Sequence, residues 1–115
     1  MSHNTDAARL RLAGMREHIP GPDGARFHIG LMRGELQVEL YVPQSEDLQK
    51  PHSRDECYVV VRGEGSFQMG DEIVPFTTGD FLFVPAGMEH RFLNFGDRME
   101  AWVIFYGPEG GGQIG

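Results

Sequence analysis

GDFLFVPAGMEHRFLN, Gly79 to Asn94, is the stretch on which the fold turns. Asp80 to Val84 (DFLFV) is rich in aromatic and β-branched residues, as strands are. Pro85-Ala86-Gly87 then reverses the chain, with proline fixing φ and glycine tolerating a positive one. His90 to Phe95 (HRFLNF) resumes as a second strand with a histidine at its start. The fixed positions are Gly79, Pro85, Gly87, His90 and Asn94, in the spacing G-x5-P-x-G-x2-H-x3-N.

Upstream, PHSRDECYVVVRGEG (Pro51 to Gly65) sets His52 and Glu56 four apart at the mouth of an apolar run, Glu56 to Arg62. Gly63-Glu64-Gly65 is expected to turn that run back into Ser66 to Met69. Gly70-Asp71 punctuates before Glu72 to Pro75. Ala25 to Leu31 and Glu35 to Val42 alternate polar and apolar residues, and Met99 to Tyr106 closes the series. Roughly eight short strands at regular spacing predict an all-β sandwich or small barrel. Asp6 to His18 has room for a helical turn or an irregular lead-in. The division expected is a lead-in over 1–24, a barrel over 25–106 and a flexible glycine-rich tail over 107–115.

Bulk properties agree. A chain of 115 residues makes one domain, burying roughly two-thirds of its unfolded surface. Sixteen glycines and seven prolines demand frequent turns. A formal charge of −7 argues against nucleic acid or an anionic membrane surface as partner. One cysteine, Cys57, allows no internal disulfide, and neither an 18-residue apolar stretch nor a signal-peptide pattern is present, so a soluble cytoplasmic protein is expected. Gly110, Gly112 and Gly115 fit the dinucleotide fingerprint G-x-G-x-x-G, but the helix whose N-terminus would meet a pyrophosphate is missing.

The two stretches together resemble the cupin superfamily, in its small single-domain, conserved-barrel (cupin 2) form. Gly79 to Asn94 is similar to the second cupin motif. His52, Glu56 and Gly63 match the later part of the first, H-x-H-x(3,4)-E-x6-G. The first histidine of that motif falls on Lys50, the only lysine in the chain. The resemblance implies a jelly-roll-type antiparallel β-barrel and a reduced ligand set of His52, Glu56 and His90. It also implies metal-dependent chemistry of the dioxygenase, isomerase or decarboxylase kind, and a homodimer paired through edge strands.

The residues support a site in their own right. Side chains alternate along a strand, so positions 52 and 56 share a face while Cys57 takes the other. If the barrel brings His90 alongside, two imidazoles and one carboxylate converge, leaving about three positions open on an octahedral cation. Such ligands suit one divalent transition metal, Fe, Mn, Ni, Co or Zn. The alternative is a metal-free pocket in which the three side chains hydrogen-bond one another. Tyr58, Val60 and Phe92, with Met88 near the rim, are expected to line a substrate pocket. Lys50 either stays exposed or points into it, where it would attract an anionic ligand. No general base beyond Glu56 is evident, and Glu56 does not easily serve as ligand and base at once. Two functional readings follow for a small-molecule partner. One is a metal-dependent oxygenase or isomerase, and the other a non-enzymatic barrel that binds or senses a small ligand or a metal.

Overall fold

The computed structural model describes residues 7–47 and 49–112. Eight strands form: β1 (Phe27–Arg33), β2 (Leu36–Tyr41), β3 (Asp55–Arg62), β4 (Gly65–Met69), β5 (Glu72–Phe76), β6 (Phe81–Val84), β7 (His90–Leu93) and β8 (Glu100–Tyr106). They build a five-stranded sheet, β1-β2-β8-β3-β6, facing a three-stranded sheet, β5-β4-β7. Every pairing is antiparallel. The short helix α1 (Leu12–Arg16) lies in the lead-in, where Met15 is buried and Arg16 grips Glu100 of β8 through two contacts of 2.7 Å.

The core forms where the alternation of both sheets turns large side chains inward. From the larger sheet come Tyr58, Val60, Leu82, Val84, Val103 and Phe105, and they meet Phe67, Phe76 and Phe92 of the smaller one. The aromatic rings pack edge-on or tilted, Tyr58 to Phe92 at 4.9 Å and Phe67 to Phe92 at 4.6 Å between centroids, as their quadrupoles favour.

Gly63 to Gly65 does something other than expected. β3 and β4 do not pair, because this segment carries the chain from the larger sheet to the smaller one. Gly65 sits where a Cβ would stand 2.7 Å from the Leu93 carbonyl oxygen, so only glycine lets the crossing strand approach β7. The true hairpin is β4–β5, closed by Gly70-Asp71 between the paired residues Met69 and Glu72. Pro75 lies in β5, an edge strand, where a missing N–H breaks no ladder.

Strand β2 shows the alternation read from the sequence, with its polar parity turned into the barrel. Leu40 is fully buried beneath the lead-in rather than in the main core, while Gln37, Glu39 and Tyr41 line the inner cavity. The C-terminal segment is tied down as far as it is described. Gly110 N–H donates to the Ser53 carbonyl at 2.6 Å and Gly112 N–H to Asp55 Oδ2 at 2.9 Å.

Candidate metal centre

Each of the three ligand candidates is placed by a different device. Glu56 stands in β3 opposite Val84 and Phe105, on the inward parity it shares with Tyr58 and Val60. His90 opens β7, paired with Met69. His52 lies outside any strand, since β3 begins only at Asp55, so shared strand parity is not what orients it. Gly87 N–H instead donates to the His52 carbonyl at 2.7 Å, and the imidazole packs against Phe105 at 4.7 Å. The Pro85-Ala86-Gly87 turn thus anchors the segment carrying His52, and Ala86 N–H adds a bond to Asp55 Oδ1 at 2.9 Å.

The ligand atoms of His52, Glu56 and His90 lie within 4.8 Å of one another. His90 Nε2 is 3.0 Å from Glu56 Oε1, and His52 Nε2 is 3.9 Å from the same oxygen. His90 Nδ1 lies 2.9 Å from the Met88 carbonyl oxygen, which can only accept, so the ring proton belongs on Nδ1 and Nε2 offers a lone pair. Four buried atoms, His52 Nε2, both Glu56 oxygens and His90 Nε2, have no hydrogen-bond partner. Lone pairs converging in this way repel unless a cation stands among them, so the donor set fits a transition metal. The carbonyl bond on Nδ1 orients the ring, as the outer partners of metal-bound histidines do.

The electrostatics of the metal-free chain point the same way. Burial lowers the pKa of His52, and the opposing charge of Glu56 does not restore it, so this imidazole is neutral and free to ligate. Burial also acts to lower His90, but Glu56 and the Met88 carbonyl outweigh it and raise the pKa. A proton on His90 satisfies one contact with Glu56 and leaves His52 Nε2 without a partner.

A cavity of about 480 Å³ opens beside His52, lined by apolar Phe27, Ile29 and Phe105 and by polar Glu39, Tyr41 and Gln49, among others. Its lining differs from the expected set. Tyr58, Val60 and Phe92 are too deeply packed to reach it, at 0–1% exposure, and Met88 packs against the same core. Lys50 is exposed, and Arg54 is the cation at the mouth, with its guanidinium 5.6 Å from the centre of the Phe105 ring and 3.9 Å from Glu109. Tyr58 still serves the site from behind by donating to Gln49 Oε1 at 2.8 Å. Buried Asp47 fixes that wall, accepting from Tyr41 Oη, from the backbone and side chain of Gln49, and from Phe92 N–H at 2.8 Å.

Glu39 was missed from sequence, because the ELQVELYV pattern is the same whichever parity faces inward. It faces the cavity, and burial first, with the Glu56 charge adding and the Gln37 bond opposing, pushes its pKa up to about 7. Cys57 takes the outward parity, and its thiol is raised mainly by burial, as suits an inert packed residue.

The Cupin domain family (Cupin_2) matches residues 37–106, which include all three ligand candidates. The uncharacterized protein SCO3923 of Streptomyces coelicolor is 35% identical over 102 residues, which span 87% of this chain and 96% of that protein. Protein NMB1881 from Neisseria meningitidis shares the fold at a TM-score of 0.68 and 17% identity, over 87% of this chain and 100% of that one. A cupin-2 domain protein from Shewanella frigidimarina does so at 0.67 and 15%, over 85% and 94%. KdgF from Halomonas sp. aligns at 0.62 and 16%, over 72% and 78%. Sequence, barrel and paired motifs agree, and the chain belongs to the cupin domain family.

Proposed function

We propose that this cupin holds one divalent transition metal on His52, Glu56 and His90 and uses it in chemistry on a small organic molecule bound in the adjoining cavity. The observation that carries the reading is the set of four buried, unpartnered donor atoms. A bound cation of this kind supplies a Lewis-acidic centre for a substrate oxygen. The chain supplies the rest. Phe27, Ile29 and Phe105 give one side of the cavity an apolar surface, and Arg54 favours an anionic group at the mouth. The cavity volume of about 480 Å³ suits a metabolite-sized ligand rather than a polymer.

Elemental analysis of the untagged protein beside a His52→Ala/His90→Ala variant tests this. Close to one transition metal per wild-type chain and almost none in the variant is the expected result. Equal, negligible contents after anaerobic reconstitution with Fe(II), Mn(II) or Zn(II) would leave a metal-free ligand-binding barrel, held together at this point by the His90–Glu56 contact.

The proposed protein partner is a second copy of the chain. Phe81, Phe83 and Tyr106 stand 62%, 43% and 40% exposed on the five-stranded sheet, with Phe81 and Phe83 on its edge strand β6. Copies that each carry −7 repel one another across charged surfaces, which favours an apolar face such as this one for them to share.

A further inference from the structure

Glu39 is a carboxyl group in the cavity wall that neither the fold nor the metal centre uses. It projects from β2 into the space bounded by Phe27, Ile29, Tyr41 and Phe105. Its hydrogen-bond partner among the described residues is the neutral Gln37 amide, at 3.2 Å from Oε2. Withdrawing a carboxyl group from water against so weak a partner works against stability, so folding alone does not explain its place. β8 alone separates β2 from β3, and Glu39 lines the same cavity as His52.

We propose that Glu39 is the acid–base residue of this site, moving a proton to and from the carbon next to a carbonyl group of a substrate held beside His52. The inference rests on the metal-site reading. In the step, the Glu39 carboxylate takes the proton, the C–H bond breaks, and its electron pair passes to the carbonyl oxygen as an enolate. The Glu39 carboxyl group then returns the proton to the same carbon, which exchanges it, or, in a hydroxycarbonyl substrate, to the former carbonyl carbon while the hydroxyl proton passes to the former carbonyl oxygen, which isomerises the substrate. No oxidant or reductant is consumed. The substrate class is a small hydroxycarbonyl compound or keto acid, and a terminal carboxylate would face Arg54. A carboxyl group with a pKa near neutrality both accepts and returns a proton readily, as such a role requires. Glu56, committed to the cation, is left free of that duty.

The test uses the Zn(II)-loaded full chain in D₂O with hydroxyacetone and pyruvate as probes, followed by proton NMR. Wild type is expected to wash deuterium into the carbon next to the carbonyl, and Glu39→Gln to do so at least ~100-fold more slowly with its zinc content unchanged. Carboxyl ¹³C NMR of metal-free protein gives a second readout, a resonance titrating well above the ordinary carboxylate range that is missing from Glu39→Gln. Exchange at the wild-type rate in Glu39→Gln, exchange of neither probe by wild type, or no such resonance would each overturn the proposal. Failure of the metal site reads differently: zinc would then be absent from wild type as well as from His52→Ala/His90→Ala, while the carboxyl resonance still judges Glu39.

Discussion

His90 Nε2 stands 3.0 Å from Glu56 Oε1, a contact that only a proton on Nε2 or a cation shared by the two atoms satisfies. Adding a metal that binds only the folded chain should therefore stabilise it by mass action, about 2.7 kcal/mol at a hundredfold excess over Kd. Thermal unfolding with and without added Zn(II) or Mn(II) should show a rise of several degrees in wild type and none in His52→Ala/His90→Ala. A wild-type midpoint unmoved by either metal would remove the metal from the account.

Glu39 makes the metal-free protein lose stability as pH rises. Its folded pKa, about 7, exceeds the ordinary 4.5, so the native state binds the extra proton between those values and stability falls across that window. Tyr41, His52, Arg54 and Glu56 share its end of the barrel, and the charge of Glu56 adds to the effect. Glu39→Gln should therefore gain roughly 2 kcal/mol over wild type at pH 8 and little at pH 4.5. Urea titration of chelator-treated protein at the two values checks it, and a gain that is equal at both would contradict the assignment.

Gly65→Ala should be severely destabilising, by about 3 kcal/mol or more, because the added methyl group meets backbone rather than a movable side chain. Its Cβ would stand 2.7 Å from Leu93 O and 2.8 Å from Asn94 O. Gly14→Ala, where nothing lies within 4 Å, provides the mild comparison. Similar denaturation midpoints for the two variants would mean that the β4–β7 approach is looser than described.

Asp47→Ala should cost about 3 kcal/mol and disorder the cavity wall, since it leaves the buried Phe92 N–H without its acceptor and frees Tyr41 and Gln49. Amide exchange at Phe92 should accelerate along with the loss of stability. Unchanged protection there would show that another group takes over the bond.

Self-association should depend on the outer face of the five-stranded sheet. Light scattering is expected to give twice the 12.9 kDa chain mass for wild type and the single mass for Phe81→Glu/Phe83→Glu. A double variant that keeps the larger mass would move the interface elsewhere.

Local chemistry determined much of this protein from sequence alone. The eight strands and the reversal at Pro85-Ala86-Gly87 were legible, because each rests on residue type and short-range spacing, whereas the trio His52, Glu56 and His90 was expected through the resemblance of two separate motifs. Tertiary structure decided what short-range pattern leaves degenerate. The ELQVELYV alternation fits either face, and only in the folded chain, with α1 against β2, is Leu40 seen to take the buried parity and Glu39 the cavity. Gly63 to Gly65 reads as a hairpin until the approach of Gly65 to Leu93 makes it a crossing between sheets. Lys50 and Arg54 share a parity in sequence, yet with the backbone anchored at His52 by Gly87, Arg54 lines the cavity mouth and Lys50 is left in solvent. Period-two patterning says that two faces exist, and contacts between residues far apart in the chain decide which of them is inside.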